Sequence, residues 1–334
     1  MHIKRVAFTL FVLFSLLFTV VAHADLDIHF LDVGDADAAI IVCDDEVLVV
    51  DAGEAGHSQL IYSYLRNTLG IETVKYVVMT HPHDDHIGGV PAVLNACQVE
   101  MLYSPVGEYH GDRFETVINT ADSQELPITV LAYGDEFTVG GATCRVVSPI
   151  ETSSNINNLS IVLLIEYGDT RFLLTGDMER DAEDVLLNTW EDIQADVLKV
   201  AHHGRDTTSS HMFLRVVNAD YYVVSGGAYL ASGVYSRLAA SGEVYTTQDR
   251  GTIICHSDGE TLTFSFVKSA NASTTKSPST DTGEIYFVGN RNSKKFHCSW
   301  CDSVGTMSEK NKVIFPTRQE AIDNGYEGCA RCKP

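Results

Sequence analysis

From Asp27 onward the apolar positions fall into short runs of two different periods. Ile28 to Val33, Ala38 to Cys43 and Glu46 to Val50 are β-rich and separated by tight turns, which predicts three consecutive strands. His57 to Leu69 has helical period, Val74 to Met79 reads as a buried strand, and Ile87 to Ala96 as a helix entered through Gly88-Gly89. Strands are expected again over Thr143 to Val147, Leu159 to Tyr167 and Arg171 to Leu174. A helix follows over Glu179 to Trp190, then a buried strand over Val197 to Ala201. Asp220 to Ser225, Gly251 to His256 and Thr261 to Val267 complete the set. Hairpins mixed with strand–helix units predict a layered α/β body with mixed sheets.

Composition changes this picture at both ends. Lys4 and Arg5 precede an apolar run from Val6 to Val21, and Ala22-His23-Ala24 then has the small-x-small form of a cleavage site. Residues 1–24 are therefore expected to be a signal peptide. The mature chain would be secreted, at the cell surface or periplasmic, without a membrane span. Ser269 to Gly283 has no large apolar residue and predicts a Ser/Thr-rich linker between a body at 25–268 and a small module at 284–334. Over the 334 residues, 45 % are hydrophobic and 20 % charged, which excludes a fully disordered, collagen-like or coiled-coil chain. Residues 289–334 carry eight Lys/Arg and five acids, a net of +3. The total is −22, so the rest of the chain stands at −25. An acidic surface of that size repels nucleic acid and anionic membranes, whereas the small module does not.

The densest chemistry is His81-Pro82-His83-Asp84-Asp85-His86, placed directly after a buried strand. Three histidines and a spare carboxylate in six residues suit two borderline metal ions. Extended spacing sends His81 and His83 to one side for a first ion, while Asp85 and His86 fall at the loop-to-helix turn for a second. Two such ions sharing a hydroxide can polarise a scissile ester.

This run resembles the H-x-H-x-D-H signature of the metallo-β-lactamase-fold hydrolases. Val50-Asp51-Ala52-Gly53, Leu174-Thr175-Gly176-Asp177 and Ala201-His202-His203-Gly204 are similar, in order, to the family's other blocks. Phe30-Leu31-Asp32-Val33-Gly34-Asp35-Ala36-Asp37-Ala38 and Asn157-Asn158-Leu159-Ser160 are similar to motifs of one branch, the nuclease-like domain of the ComEC-type competence proteins. Two departures from that branch concern substrate contacts. Arg205 stands where a serine usually follows the histidine block, and Ser225-Gly226-Gly227 leads to Tyr229 and Tyr235 with no G-H-P. The resemblance implies a four-layer αββα metallo-β-lactamase-like sandwich whose Asp177 bridges two Zn²⁺ or Mn²⁺ ions. Implied metal ligands are His81, His83, Asp85, His86, Asp177 and His203, with His202 as the alternative to His203. Asp85, His202 and His203 are the implied catalytic residues, His202 being favoured as proton donor. His110 is the only histidine between the first block and Asp177, and it reads as a surface residue, which leaves the first ion site open. Asp51 is expected to organise hydrogen bonds around the ligands, and Asp32 and Asp37 either to form turns or to take a direct part in the site.

In the tail, Cys329-x-x-Cys332 is a metal knuckle, preceded by either Cys298-x-x-Cys301 or His297 with Cys301. Two disulfides are the alternative for an exported chain. A module this small has a thin core and needs such a staple. The tail also resembles the metal-binding domain of the Ada DNA-repair protein. That resemblance implies one structural Zn²⁺ on His297, Cys301, Cys329 and Cys332, with Cys298 as an extra thiol. Arg291, Lys294, Lys295, Lys310, Lys312 and Arg331 would then contact DNA phosphates, or equally form a solubilising face. The four cysteines of the body, Cys43, Cys97, Cys144 and Cys255, read equally as disulfides or buried thiols.

The combined expectation is an exported two-metal phosphodiesterase, a DNA or RNA nuclease with nucleic acid as its substrate partner. A small-ester hydrolase of the same fold, such as a phosphocholine esterase or lactonase, is the second reading. A non-catalytic, metal-dependent surface-binding protein is the third.

Overall fold

The structure, a computed structural model, describes residues 25–268, 287–298, 302–315 and 318–329. The expected signal peptide and the linker over 269–283 lie outside the described residues. No helix among the described residues is long and apolar enough to cross a membrane.

Eight strands form the first sheet in the spatial order Leu262–Val267, Thr252–Ser257, Leu26–Phe30, Ala38–Cys43, Glu46–Ala52, Thr73–Val78, Gln98–Ser104, Ile128–Val130. The first five are antiparallel and the remainder parallel. The second sheet runs Glu243–Thr246, Tyr221–Val224, Val197–Lys199, Thr170–Leu174, Val162–Tyr167, Ala142–Ser148, Glu136–Val139, parallel over its first four strands and antiparallel over the rest.

Strand periodicity turns alternate residues to opposite faces. Ile41, Leu48 and Val50 of the first sheet therefore pack with Leu163, Ile165 and Phe172 of the second in a core between the sheets. Ile40, Val47 and Val49 face the other way and meet Ile61, Val93, Phe114 and Val117 from the helices. Likewise Val162, Leu164 and Leu198 meet Leu186, Phe213, Val217 and Leu238. Three apolar interfaces separate four layers, helices–sheet–sheet–helices, so the sandwich expected from the resemblance is the fold observed. Strands buried on both faces have no polar face to show, which is why the central ones read as continuous apolar runs.

Several elements differ from the sequence reading. The helix expected over His57–Leu69 is Ser58–Ser63, preceded by a tight turn and followed by a widened one, closed by Leu69 N donating to Tyr64 O at 2.9 Å. The helix expected over Ile87–Ala96 divides into Asp84–Ile87 and Val90–Ala96. Gly88 and Gly89 mark the division because a Cβ on Gly89 would lie 2.0 Å from Ala52 O, and one on Gly88 2.4 Å from Ala55 N. The pair lets the Asp51–Ala55 turn press onto the helix that carries Asp85 and His86. Unforeseen elements include the strand Gln98–Ser104 and the helices Asp112–Asp122 and Ser232–Ala239. Asp112–Asp122 buries only Phe114, Val117 and Ala121, a stripe too sparse to announce itself.

Cys43, Cys97, Cys144 and Cys255 are buried free thiols, so disulfides among them are excluded. In the tail, Lys312–Phe315, Phe287–Asn290, Lys295–Cys298 and Glu327–Gly328 form a four-stranded sheet. Its core is thin: Phe296, Phe315, Ala321 and Tyr326 in one cluster and Val288, Val304 and Met307 in another.

Candidate metal centre

Five parallel strands, two from the first sheet and three from the second, deliver their C-terminal ends to one place. They carry Asp51, then Thr80 to His86, then Thr175 to Asp177, then Lys199 to His203, then Ser225. The carboxyl ends of parallel strands are where open α/β sheets present groups to ligands.

Asp177 is the centre of the arrangement. Its Oδ1 lies 3.2 Å from His86 Nε2; its Oδ2 lies 3.7 Å from His81 Nε2 and 3.5 Å from His202 Nε2. The two oxygens thus face two different histidine groups. On one side stand Asp85, His86 and His203, with His203 Nε2 3.5 Å from Asp85 Oδ2. On the other stand His81 and His83, whose Nε2 and Nδ1 approach to 3.0 Å, and His202.

The donor set fits metal. Asp85, His86, Asp177 and His203 each offer one ligand atom, all within 4.8 Å of one another. His86 Nε2, Asp177 Oδ1 and His203 Nε2 are buried and satisfy no hydrogen bond. Buried polar atoms are rarely left so, and three orphans facing one point are what a missing cation explains. The far nitrogens are supported as metal-bound imidazoles usually are. His86 Nδ1 stands 2.7 Å from Asp51 Oδ2, His81 Nδ1 3.2 Å from Thr80 Oγ1, and His203 Nδ1 3.3 Å from Ser225 O. Asp51, at φ 56°, also accepts from Thr80 N at 2.8 Å and Thr80 Oγ1 at 2.6 Å. It sits behind the ligands, as the sequence reading expected.

Electrostatics follows the same division. Burial disfavours a charge on His86, yet Asp177 and Asp51 outweigh it and hold the imidazolium well above its ordinary range. His81 is pushed well below that range by burial and by His86. Asp85 and Asp177 are depressed despite their burial, Asp85 by the nearby His203 and His86 and Asp177 chiefly by His86.

Past the strand, the segment at Ala201–Gly204 is not extended: His202 and His203 are both left-handed, at φ 48° and 53°, as is Gly204 at φ 77°. Each non-glycine residue there stores roughly 1–3 kcal/mol of strain. The turn aims both rings at the centre from different sides. His203 is 1 % exposed and His202 16 % at its side chain, so His202 is the one open to solvent. Its Nδ1 meets Glu179 Oε1 at 3.0 Å.

Sequence reading missed that Glu179. It also missed Lys199, whose Nζ donates to Asp37 Oδ2 at 2.6 Å beneath His203. A lysine inside an apolar strand was the available signal. Asp37 is accordingly no turn former: it is 4 % exposed, and its Oδ1 is 3.5 Å from His203 Nδ1. The Asn157–Ser160 motif now has a physical meaning. Ser160 Oγ accepts from Asp177 N at 3.0 Å, Asn158 Oδ1 accepts from Glu179 N at 2.9 Å, and Asn157 Nδ2 reaches His202 Nδ1 at 3.4 Å. His110 is exposed and belongs to neither group.

In the tail, His297 is 6 % exposed and its Nδ1 has no hydrogen-bond partner among the described residues. Cys329 packs beside Val288, Val304 and Met307. Cys301, Arg331 and Cys332 lie outside the described residues, as does the side chain of Cys298. Of the expected phosphate contacts, Lys295 pairs with Glu327 at 2.6 Å, Lys312 with Glu309 at 2.7 Å, and Lys294 lies 4.6 Å from the Tyr326 ring centre. Arg291 and Lys310 are exposed.

Residues 31–227 match the metallo-beta-lactamase superfamily, and the chain belongs to it. Residues 269–334 match the metal binding domain of Ada. ComE operon protein 3 of Bacillus subtilis is 31 % identical over 159 residues, 47 % of this chain and 20 % of that protein. Recombination protein 2 of Haemophilus influenzae is 29 % identical over 220 residues, 64 % of this chain and 26 % of that protein. Ribonuclease J of Mycoplasma genitalium is 33 % identical over 69 residues, 19 % of this chain and 12 % of that protein. The chain spans only about a fifth to a quarter of the length of the first two relatives. A metal-dependent hydrolase of this superfamily, related to competence proteins, is what these matches define.

Proposed function

We propose that the chain is an exported phosphodiesterase that cleaves DNA or RNA with two Zn²⁺ or Mn²⁺ ions. The observation that carries this reading is the carboxylate of Asp177, whose two oxygens face separate groups of imidazoles. A relative whose name is Ribonuclease J supports nucleic acid as the substrate. His81, His83 and Asp177 would hold one ion, and Asp85, His86, Asp177 and His203 the other. When bound, such a pair supplies Lewis acidity toward phosphoryl oxygens and lowers the pKa of water.

His202 does the proton work of this chain. Glu179 accepts from its Nδ1 side and so fixes the ring, leaving Nε2 turned toward Asp177 and the leaving oxygen of a bound ester. Glu179 is itself anchored by Asn155 Nδ2 at 2.8 Å and Thr207 Oγ1 at 2.9 Å. His203, buried and backed by Ser225 O, holds position rather than exchanging protons with substrate. The tail, with one structural zinc on His297, Cys301, Cys329 and Cys332, acts as a tethered basic module.

Mature protein incubated with Mn²⁺ or Zn²⁺ and with plasmid, linear or single-stranded DNA, or with RNA, should give metal-dependent cleavage. Hydrolysis of a small phosphodiester with every nucleic acid left intact would end the nuclease reading. That outcome belongs to the second reading, a small-ester hydrolase, which the −25 charge outside the tail favours because it repels polyanions.

A further inference from the structure

Arg205 and Tyr229, from two segments that depart from the competence-protein pattern, meet in space. The guanidinium carbon of Arg205 lies 3.9 Å from the centre of the Tyr229 ring. That ring centre is 6.3 Å from the His203 ring, so the pair stands on the rim of the metal centre.

The loop bearing Tyr229 is fixed by packing. Asp35 Oδ1 accepts from Gly227 N and Ala228 N, both at 2.9 Å, and Thr247 Oγ1 accepts from Gly226 N at 2.8 Å. Ala231 N donates to Gly204 O at 2.9 Å and ties this loop to the histidine turn. Gly226, at φ +73°, is required there, since a Cβ would lie 2.1 Å from Asp35 Oδ1. Asp35, which stands where the branch has glutamine, thus holds the loop that presents Tyr229.

The Nε of Arg205 is buried without a hydrogen bond, and among the described residues no carboxylate forms an ion pair with its guanidinium. A guanidinium held over an aromatic ring can still offer its two Nη groups to a phosphate. A cation held in this way beside a phosphodiesterase centre, in an otherwise acidic body, matches an anionic substrate group next to the one being cleaved.

We propose that Arg205, stacked on Tyr229, recognises the phosphate flanking the scissile one, making the protein selective for oligonucleotides over isolated phosphodiesters. This rests on the phosphodiesterase reading above and names its substrate class. Arg205 contributes binding common to ground and transition states, so its loss acts on KM rather than kcat.

The test compares full-length, metal-loaded wild type with Arg205→Ala, Arg205→Lys, Tyr229→Ala and Tyr229→Phe. Substrates are a hexanucleotide and bis-p-nitrophenyl phosphate. Arg205→Ala should raise KM for the hexanucleotide about 10- to 100-fold, the range for a charge-assisted hydrogen bond, with kcat within about threefold. KM for the single diester should stay unchanged. Arg205→Lys should recover only part of the loss and Tyr229→Phe nearly all of it. Anisotropy of a labelled hexanucleotide on chelated protein reads the same contact without turnover, and wild type should bind more tightly than Arg205→Ala. Wild-type KM in both alanine variants, equal rises for both substrates, or equal anisotropy for wild type and Arg205→Ala would overturn the proposal. If wild type cleaves no phosphodiester, the preceding reading fails and the anisotropy comparison alone decides Arg205.

Discussion

The two halves of the metal centre are built differently. Asp85, His86 and His203 form one half, deep at His86 and His203, which are almost fully buried and backed by Asp51, Asp37 and Ser225, and open at Asp85, whose side chain is 33 % exposed. His81, His83 and His202 form the shallower half. His81 is buried, but His83 and His202 are partly exposed, and His110 supplies no further donor. Depth with a dense supporting shell holds a cation tightly. An edge with fewer donors and access to water is where a substrate enters and a proton moves. Asp177 joins the two, one oxygen to each.

Removing the join should have the largest effect. Asp177→Asn should lower phosphodiesterase kcat on the order of 10³-fold or more. Metal analysis should show loading of both halves reduced, and a variant that keeps two tightly held ions would separate the halves. Next comes the proton. His202→Ala should lower kcat by about 10²- to 10⁴-fold with metal content unchanged. The defect should be greatest for poor leaving groups and small for p-nitrophenolate. Equal loss on both would mean His202 holds metal instead.

A smaller effect is expected from the shell. Asp51→Ala should weaken metal affinity about 10- to 100-fold, measured by chelator competition, and the loss should fall on the deeper ion. The same half sets the pH dependence. In the metal-free protein Asp177 and Asp51 raise His86, so its stabilising charge is present at low pH and lost as pH climbs through the raised pKa. Metal requires the neutral ring and must displace that proton. Apparent affinity should therefore rise with pH, and the zinc-induced increase in Tm should widen. Calorimetry in buffers of different ionisation enthalpy should detect the released proton. No pH dependence would place the proton elsewhere. The smallest effect belongs to the tail. Truncation after Lys268 should leave hydrolysis of a small ester unchanged and raise KM for DNA a few-fold at low salt. The difference should shrink as salt screens it. Identical kinetics would leave the tail without a role in gathering substrate. The local pairing of Lys295 and Lys312 with acids is the reason to expect only a modest advantage.

What the sequence by itself determined was local. The apolar runs marked the central strands, and His81 to His86 with Asp177 and His202-His203 marked the candidate ligands, because metal donors of one motif are neighbours along the chain. The glycine pair at 88–89 was visible, but not that it divides two helices, since its cause is Ala52 O from another element. Tertiary structure alone decided the rest. Asp37 meets Lys199 from the facing sheet, Glu179 turns His202, and Arg205 lies on Tyr229, each contact joining residues far apart in sequence. Periodicity carries no information about such pairs. Which side of Asp177 each histidine of the 202–203 pair takes was likewise set by a left-handed turn, a backbone state that two adjacent histidines do not announce and that the surrounding packing must impose.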